Sequence, residues 1–377
     1  MLTVLRRYTK HFFIVCNVVL SVCILLLYAL PYLKQQTFWF VNLIAMAFPV
    51  FIFLELAFLI FWLLAKPRFI WLPILTFCLS YGLLRNGFGW HPFSQKQVAD
   101  SIDFKVATWN VHLFNFFENK GELDTHMIAA ASGLKADVLA LQEFVFSLNP
   151  SSHMSLEQVK KRLGYQYAVV GNDKKFGVYK HTETADQRYF PFCVALFSNF
   201  PIIRWEKVQS IREYNHTFIW ADLLIGADTV RFMNVHLQSM HFAEDDYRFI
   251  ENIDEQDVDH VKRNGMNIIR KIKAANQFRA IQIEAVTTEI RKSPYPVVLC
   301  GDFNDVPNSY AYQSVAQYLN DAYAVRGWGI GRTFRKIAPT LRIDYIFSDK
   351  RLQAEQVRIE QLPYSDHYPL TVSFRKN

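Results

Sequence analysis

Apolar residues fall into two regimes along this chain. Up to residue 85 they run in long blocks with a single charge, Glu55, inside them, and from 104 onward they come in short groups that stop at polar residues. The first block, 12–33, has no charged residue, and about 20 apolar residues suffice for a helix to cross a hydrocarbon core of ~30 Å. A transmembrane helix is therefore predicted over 12–33. A secretory signal peptide has a shorter apolar core ending at small residues, whereas Tyr28, Pro31 and Tyr32 stand at this end. A second span is predicted over 38–65, interrupted only by Glu55. The third and shortest, 69–84, has Pro73 near its start, where a helix tolerates it. Residues 86–103, with Gly87, Gly89 and Pro92 among polar neighbours, read as a linker to a domain over 104–377.

In that domain the strand pattern recurs with a polar stop. Phe104 to Trp109 alternates and stops at Asn110, and Asp137 to Leu141 is a buried-strand pattern ending in Gln142 and Glu143. Residues 165–170 are extended, 171–190 are polar loop, and strands follow at 192–198, 218–225 and 229–236. Gly226 and Asp228 turn the last two into a hairpin that puts Asn234 and His236 on one face. The most informative stretch is Pro296 to Asn304, a β-branched run that stops at Gly301. Asp302 and Asn304 then face one side while Phe303 turns back to the core. A strand over 341–347 carries Asp344, and Ser365, Asp366 and His367 precede a last strand over 368–374. Helices are predicted over 124–132, 153–164, 278–291 and 310–319. Loose alternation with hairpins mixed in gives an expected architecture of two packed mixed sheets flanked by helices.

Charge changes the picture in one respect. Residues 1–90 hold seven Lys or Arg against one acid, leaving 34 basic against 33 acidic residues for the rest, so the basic character belongs to the N-terminal part. A nucleic-acid footprint needs positive charge on the binding domain, and this domain has little in excess. Short flanking charges also orient the spans: Arg6, Arg7, Lys10, Lys66 and Arg68 fall on one side and Lys34 and Arg85 on the other. Three crossings then place the large domain on the extracytoplasmic side, whereas two, with 69–84 only interfacial, would leave it in the cytoplasm. The five cysteines form no CxxC pair and no disulfide framework, and read as small buried residues.

A lone strand-end Asp or Asn is usually a turn former. Eight polar residues at the ends of apolar strands, Asn110, Glu143, His236, Asp302, Asn304, Asp344, Asp366 and His367, are harder to dismiss together. In this order, with Thr108-Trp109-Asn110, Gln142-Glu143, Asn234-Val235-His236, Gly301-Asp302-Phe303-Asn304, Arg342-Ile343-Asp344 and Ser365-Asp366-His367, the chain from about 104 resembles the endonuclease/exonuclease/phosphatase superfamily. That superfamily includes deoxyribonuclease-like nucleases, neutral sphingomyelinases and inositol-polyphosphate 5-phosphatases. The resemblance implies a four-layered α/β sandwich with the site at one edge of the sheets, and it leaves out the membrane segments.

It also implies roles. Mg2+ or Mn2+, a hard cation that takes oxygen ligands, is expected on Glu143, Asn110 and Asp366. His367, oriented by Asp344, is expected to act as base on the attacking water, Asp302 and Asn304 to position that water and a phosphate oxygen, and His236 to contact the scissile phosphate or protonate the leaving oxygen. Two departures stand out: Phe192 to Ser198 lacks the family's phosphate-contacting pattern, and 239–275 is a long segment, acidic then basic, that reads either as a lid or membrane patch or as a solvated excursion. The expectation is a membrane-anchored, metal-dependent phosphoester hydrolase whose substrate is a lipid head group or small phosphoester. A membrane-tethered nuclease, with nucleic acid as substrate only, is the competing reading, and an inactive binding module would have lost several of the eight residues.

Overall fold

In a computed structural model of the chain, residues 2–90, 102–171, 178–180, 189–211, 216–240, 258–336 and 340–376 are described, with four positions between 242 and 249. Most of the expected linker, and most of the acidic half of 239–275, lie outside the described residues.

The apolar blocks fold as helices that satisfy their own backbone. Helix α1 (Leu2–Leu26) tightens into a turn over Leu27–Tyr32, and α2 (Asn42–Ala65) continues through Pro49. Two helical stretches, Tyr8–Tyr32 and Gln35–Ala65, are long and apolar enough to cross a membrane. The third block is broken: α3 (Trp71–Leu79) and α4 (Tyr81–Gly87) meet at Ser80, whose φ of −88° and ψ of 9° end the first helix. A bend of 60° results, giving either a broken span or a re-entrant loop. Glu55 is fully buried and accepts from Asn17 Nδ2 at 3.0 and 3.1 Å and from Ser21 Oγ at 3.3 Å. Trp62 Nε1 donates to Asn17 Oδ1 and Thr76 Oγ1 to Ser21 Oγ. The acid thus serves as a knot that joins all three blocks, a role open to polar groups where apolar faces alone give no driving force.

The larger part is two mixed sheets. The first contains β1 (Phe104–Asn110), β2 (Val138–Val145), β3 (Tyr167–Gly171), β4 (Val178–Lys180), β5 (Tyr189–Ser198), β12 (Leu352–Ile359) and β13 (Leu370–Lys376), in the order β12-β13-β1-β2-β5-β3 with β4 on β5. The second runs β10 (Asn320–Asp321), β11 (Asp344–Ser348), β9 (Val297–Asp302), β8 (Asp228–His236), β7 (His216–Ile225), β6 (Ile202–Ile211). All pairings are antiparallel except β1 with β2 and β8 with β9. Strands β6 and β12, which the sequence does not announce, lie at the sheet edges, where polar residues interrupt the apolar pattern.

Side-chain alternation explains the layers. Val106, Val138, Ala140, Leu196, Ile219, Phe232 and Val298 pack between the sheets. Trp109, Leu139 and Leu141 face outward onto α5 (Thr125–Gly133) and α6 (Leu156–Leu163), while Met233, Val235, Leu299 and Phe347 face α7 (Val258–Lys292) and α8 (Tyr310–Ala316). This is the four-layered α/β sandwich. Helix α7 is far longer than the predicted 278–291 because the basic half of 239–275 continues it. Cys193 and Cys300 are buried in the core and all five cysteines are free.

Gly301 sits with φ +144°, and a Cβ there would lie 2.0 Å from Val235 O on the neighbouring parallel strand. Only glycine lets β9 approach β8 at the point where both deliver polar side chains. Gly301→Ala is expected to destabilise the chain by about 3 kcal/mol or more, from backbone clash plus an unfavourable φ. Thermal unfolding of the full chain in detergent reads this, and a parent-like midpoint would show that the close approach is dispensable.

Candidate active site

Along the inner faces of both parallel pairs, polarity rises toward the C-terminal ends. The series Val106, Thr108, Asn110 on β1 is matched by Val138, Ala140, Gln142 on β2, by Phe232, Asn234, His236 on β8, and by Val298, Cys300, Asp302 on β9. In register, Asn110 stands opposite Gln142, His236 opposite Asp302, and Asp302 opposite Asp344 of β11. Gln142 stitches the sheets, donating to Thr108 Oγ1 at 3.0 Å and Asn234 Oδ1 at 2.7 Å, while Asn234 Nδ2 donates to the carbonyls of Leu141 and Ala195. Beyond this seam the inner faces hold a cluster of acids and imidazoles.

Glu143 reaches the cluster through a device that the sequence does not show. Strand β2 does not stop at Glu143 but runs on to Val145 across a bulge between Leu141 and Phe144, with Glu143 at φ +50°. A bulge re-aims the side chain of its extra residue. Asn110 Nδ2 donates to Glu143 Oε1 at 3.2 Å and to Asp302 Oδ2 at 3.0 Å, so one amide bridges carboxylates from the two sheets. His236 Nε2 lies 3.8 Å from Glu143 Oε1 and 3.7 Å from Asp302 Oδ2.

His367 Nδ1 is 2.9 Å from Asp344 Oδ2, and Nε2 faces Asp302 Oδ2 at 3.8 Å. Asp302, Asp344 and His367 present ligand atoms within 4.8 Å of one another, all buried. The Ser-Asp-His turn is fastened to β1: Ser365 Oγ donates to Asn110 O at 2.8 Å and accepts from His367 N, and Trp109 Nε1 donates to His367 O at 3.0 Å. Asn304, at φ +50°, closes the β9 turn, with its N donating to Asp302 Oδ1 at 2.7 Å and its Nδ2 to Leu237 O at 3.0 Å. Asp366 is set apart from the bridge. Its carboxylate lies 3.8 Å from Lys336 Nζ, and Ser365 Oγ reaches Oδ1 at 3.4 Å.

Three contributors escape sequence reasoning, His112, Thr333 and Phe334, and a fourth, Trp109, stood out only as part of the Thr108-Trp109-Asn110 block. His112 Nδ1 lies 3.6 Å from Glu143 Oε2 and opens a run, His112 to Asn115, in which all four residues have φ between 42° and 57°. Left-handed backbone costs roughly 1–2 kcal/mol per non-glycine residue, a concentration of strain of the kind found where a site fixes its geometry. Trp109 carries the turn as above. Thr333 Oγ1 accepts from the backbone N of both Ile343 and Asp344, and Phe334 packs its ring on His367 at 4.9 Å. Of His112, Thr333 and Phe334, only His112 had a signal, its two-residue spacing from Asn110.

Burial and charge set the protonation states. Burial would raise Glu143, but His112, His236 and Asn110 hold its carboxyl down at about 2. Burial pushes Asp302 up to about 6, against the pull of His367 and with the push of Asp344. Burial disfavours the His367 cation, yet Asp344 and Asp302 outweigh it and raise the imidazole to about 10.

Comparisons with known proteins agree with this architecture. The profile of the Endonuclease/Exonuclease/phosphatase family matches residues 107–367, and that of a domain of unknown function matches 10–87. A search of curated proteins finds no match. Among solved structures, an endonuclease/exonuclease/phosphatase from Beutenbergia cavernae has a TM-score of 0.50 at 18% identity, over 73% of this chain and 72% of that one. The human Nocturnin catalytic domain with bound sulfate anion gives 0.49 at 16%, over 74% and 97%. The 3′ phosphatase NExo from Neisseria bound to product DNA hairpin gives 0.45 at 18%, over 72% and 99%.

His367 and Asp302 both have raised values, so each binds its proton more tightly when folded. The stability due to His367 is full below 6.5 and is lost as pH rises through about 10. That due to Asp302 is full below 3.8 and is lost through about 6. The Tm of the chelator-treated chain is therefore expected to fall as pH is raised from 6.5 toward 10, and His367→Asn to flatten that fall. A Tm that rises over this interval would contradict the assignment.

Proposed function

The chain belongs to the endonuclease/exonuclease/phosphatase family, and on that premise we propose that it is a membrane-anchored, divalent-metal-dependent phosphoester hydrolase acting on lipid-linked or small phosphoesters. The observation that carries the reading is the bridge from Asn110 to Glu143 and Asp302, with His236 Nε2 at 3.7 Å and the Asp344-paired His367 Nε2 at 3.8 Å from Asp302 Oδ2.

The donor set fits a hard cation. Two carboxylates are drawn to one amide with imidazoles 3.7–3.8 Å away, an oxygen-rich spot whose negative charge a divalent ion would balance. Glu143 and Asp302 would hold it, with Asn110 contributing through Oδ1, which here accepts from His112 N at 3.1 Å. Asp366 joins them only if its side chain leaves Lys336. Mg2+ or Mn2+ bound there supplies charge stabilisation of the phosphoryl oxygens. The protein's own groups do the proton work. Asp344 accepts the Nδ1 proton of His367, which leaves Nε2 toward the site as the base for the attacking water. The charge of Asp302, part of what raises His367, would be offset by a cation held there, which would bring that base toward the neutral form. His236, within 4 Å of both Glu143 and Asp302, would contact the phosphate or protonate the leaving oxygen. Asp302 and Asn304 would position water and a phosphate oxygen.

The membrane side of the reading rests on proximity and charge. Phe334, which packs on His367, belongs to the same apolar cluster as Leu20, Ile24 and Phe48 of the helical region. A site one side chain away from the bundle favours a substrate presented at the bilayer. The near-neutral catalytic domain argues against nucleic acid, whose binding needs several phosphate contacts. We further propose a division into membrane region 1–85, linker 86–103 and catalytic domain 104–377, with the last outside the cytoplasm on the positive-inside count.

His367→Ala is expected to lower turnover by about 100-fold to 10,000-fold, the usual worth of a general base, with the full chain assayed on bis-p-nitrophenyl phosphate. Activity within a factor of a few of the parent would remove His367 from that role. Glu143→Gln should raise the Mg2+ or Mn2+ concentration needed for half-maximal activity, and an unchanged titration would place the ion elsewhere. On a panel of sphingomyelin, phosphatidylinositol, bis-p-nitrophenyl phosphate, RNA and duplex DNA, lipid or small-ester turnover should exceed cleavage of nucleic acid. DNA cleavage with a steep salt dependence and no lipid turnover would hand the site to a nuclease.

A further inference from the structure

The helical region does more than adjoin the catalytic domain. Its α2 helix begins at Asn42, which is only 1% exposed although it is an amide at a helix start, and every hydrogen bond of its side chain goes to the other part of the chain. Asn42 Nδ2 donates to Asp305 Oδ2 and Asn276 Oδ1, each at 3.2 Å, and Oδ1 accepts from Tyr310 N at 2.8 Å. Asp305 is buried and paired with Arg279, itself buried, at 3.2 Å. Arg279 Nη1 in turn donates to Gln238 O at 3.0 Å, and Gln238 N donates to Gln282 Oε1 at 2.8 Å.

This network grips the two ends of the site from behind. Asp305 follows Asn304 directly, and Gln238 is two residues past His236. Between them Leu237 N donates to Asp302 O at 2.9 Å and Asn304 Nδ2 donates back to Leu237 O. We propose that Asn42 is a positioning residue for the hydrolase: its donation to Asp305 fixes the Asp305–Arg279 pair, and through it the Asp302–Asn304 turn and the His236 strand end. The catalytic geometry is thus completed by the membrane region. A buried ion pair holds its place only while its remaining hydrogen-bonding positions are satisfied, and among the described residues Asn42 is the one donor that the helical region supplies to that carboxylate. The proposal rests on the hydrolase reading for its effect on rate, but not for its effect on structure.

The test uses the full chain in nanodiscs with two variants. Asn42→Ala removes all the contacts. Asn42→Asp is isosteric and keeps an acceptor for Tyr310 N, but it loses both Nδ2 donations, to Asp305 and to Asn276, and puts a carboxylate against Asp305, so it spares the helix cap and strikes the donor side. In both, hydrogen exchange should quicken in peptides covering 236–238 and 302–305 while the inter-sheet strands and the Glu55 knot keep parental protection. With bis-p-nitrophenyl phosphate and Mn2+, kcat should fall at least about 10-fold with KM within about twofold, since displacements of about 1 Å cost on the order of 100-fold. Parental exchange at those peptides in Asn42→Ala overturns the proposal, as does a parental Asn42→Asp beside an impaired Asn42→Ala, which would credit the cap on Tyr310. Quickened exchange throughout the chain also overturns it, because Asn42 would then be general scaffolding. A parent chain inactive on every phosphoester refutes the hydrolase reading and leaves the exchange comparison to decide this one.

Discussion

Burying carboxylates between two β-sheets is the constraint that organises this molecule. Asp302 and Asp344 have no exposed surface and stand opposite each other on adjacent strands, a placement that costs several kcal/mol per ion unless the charges are compensated. Compensation comes from both sheets at once: Asn110 from the first, His236 from the second, and His367 from the turn that leads back into the first. Because the partners lie on different sheets, the charge cluster also holds the two sheets in one relative position. The Gln142–Asn234 seam just below does the same with neutral groups.

The same constraint accounts for the unusual backbone. Glu143 and Asn304 both have φ of +50°, and His112 to Asn115 form a left-handed turn. Each lies where a strand must stop being regular so that a polar side chain can aim into the cluster. Strain at these points is affordable because the surrounding layers are densely packed and fastened, by Trp109 to the His367 turn and by Asn115 Nδ2 to Tyr364 O at 3.2 Å. Glycine does the corresponding work once, at Gly301, where the obstacle is the neighbouring backbone.

The helical region shares in this arrangement. Its apolar cluster takes in Val306, Phe334 and Ile343 from the catalytic part, while Asn86 Nδ2 donates to Asn308 Oδ1 and Gln313 Nε2 to Leu27 O. The contacted segments, 305–313 and 333–343, are the ones that follow or precede Asp302, Asn304 and Asp344. A helical bundle with an internal polar knot at Glu55 is thereby joined to the loops that shape the site.

What the sequence determined by itself was local and periodic. Long apolar blocks announced the helical region, two-residue alternation placed the buried strands, and polar stops after those strands singled out Asn110, Glu143, His236, Asp302, Asn304, Asp344, Asp366 and His367. Alternation carried the inner-face assignments because residues two apart in a strand share a face whatever the fold. It was silent on edge strands β6 and β12, whose polar residues break the two-residue alternation, and on the break at Ser80, where one residue's dihedrals decide. Only the tertiary structure brought Glu143 to Asp302 through a bulge, left Asp366 beside Lys336, and added His112, Thr333 and Phe334. It alone joined Asn42 to Asp305 across 263 positions. A sequence records spacing along the chain, whereas the energy of a buried charge depends on which groups surround it in space, and those groups come from segments that only folding makes neighbours.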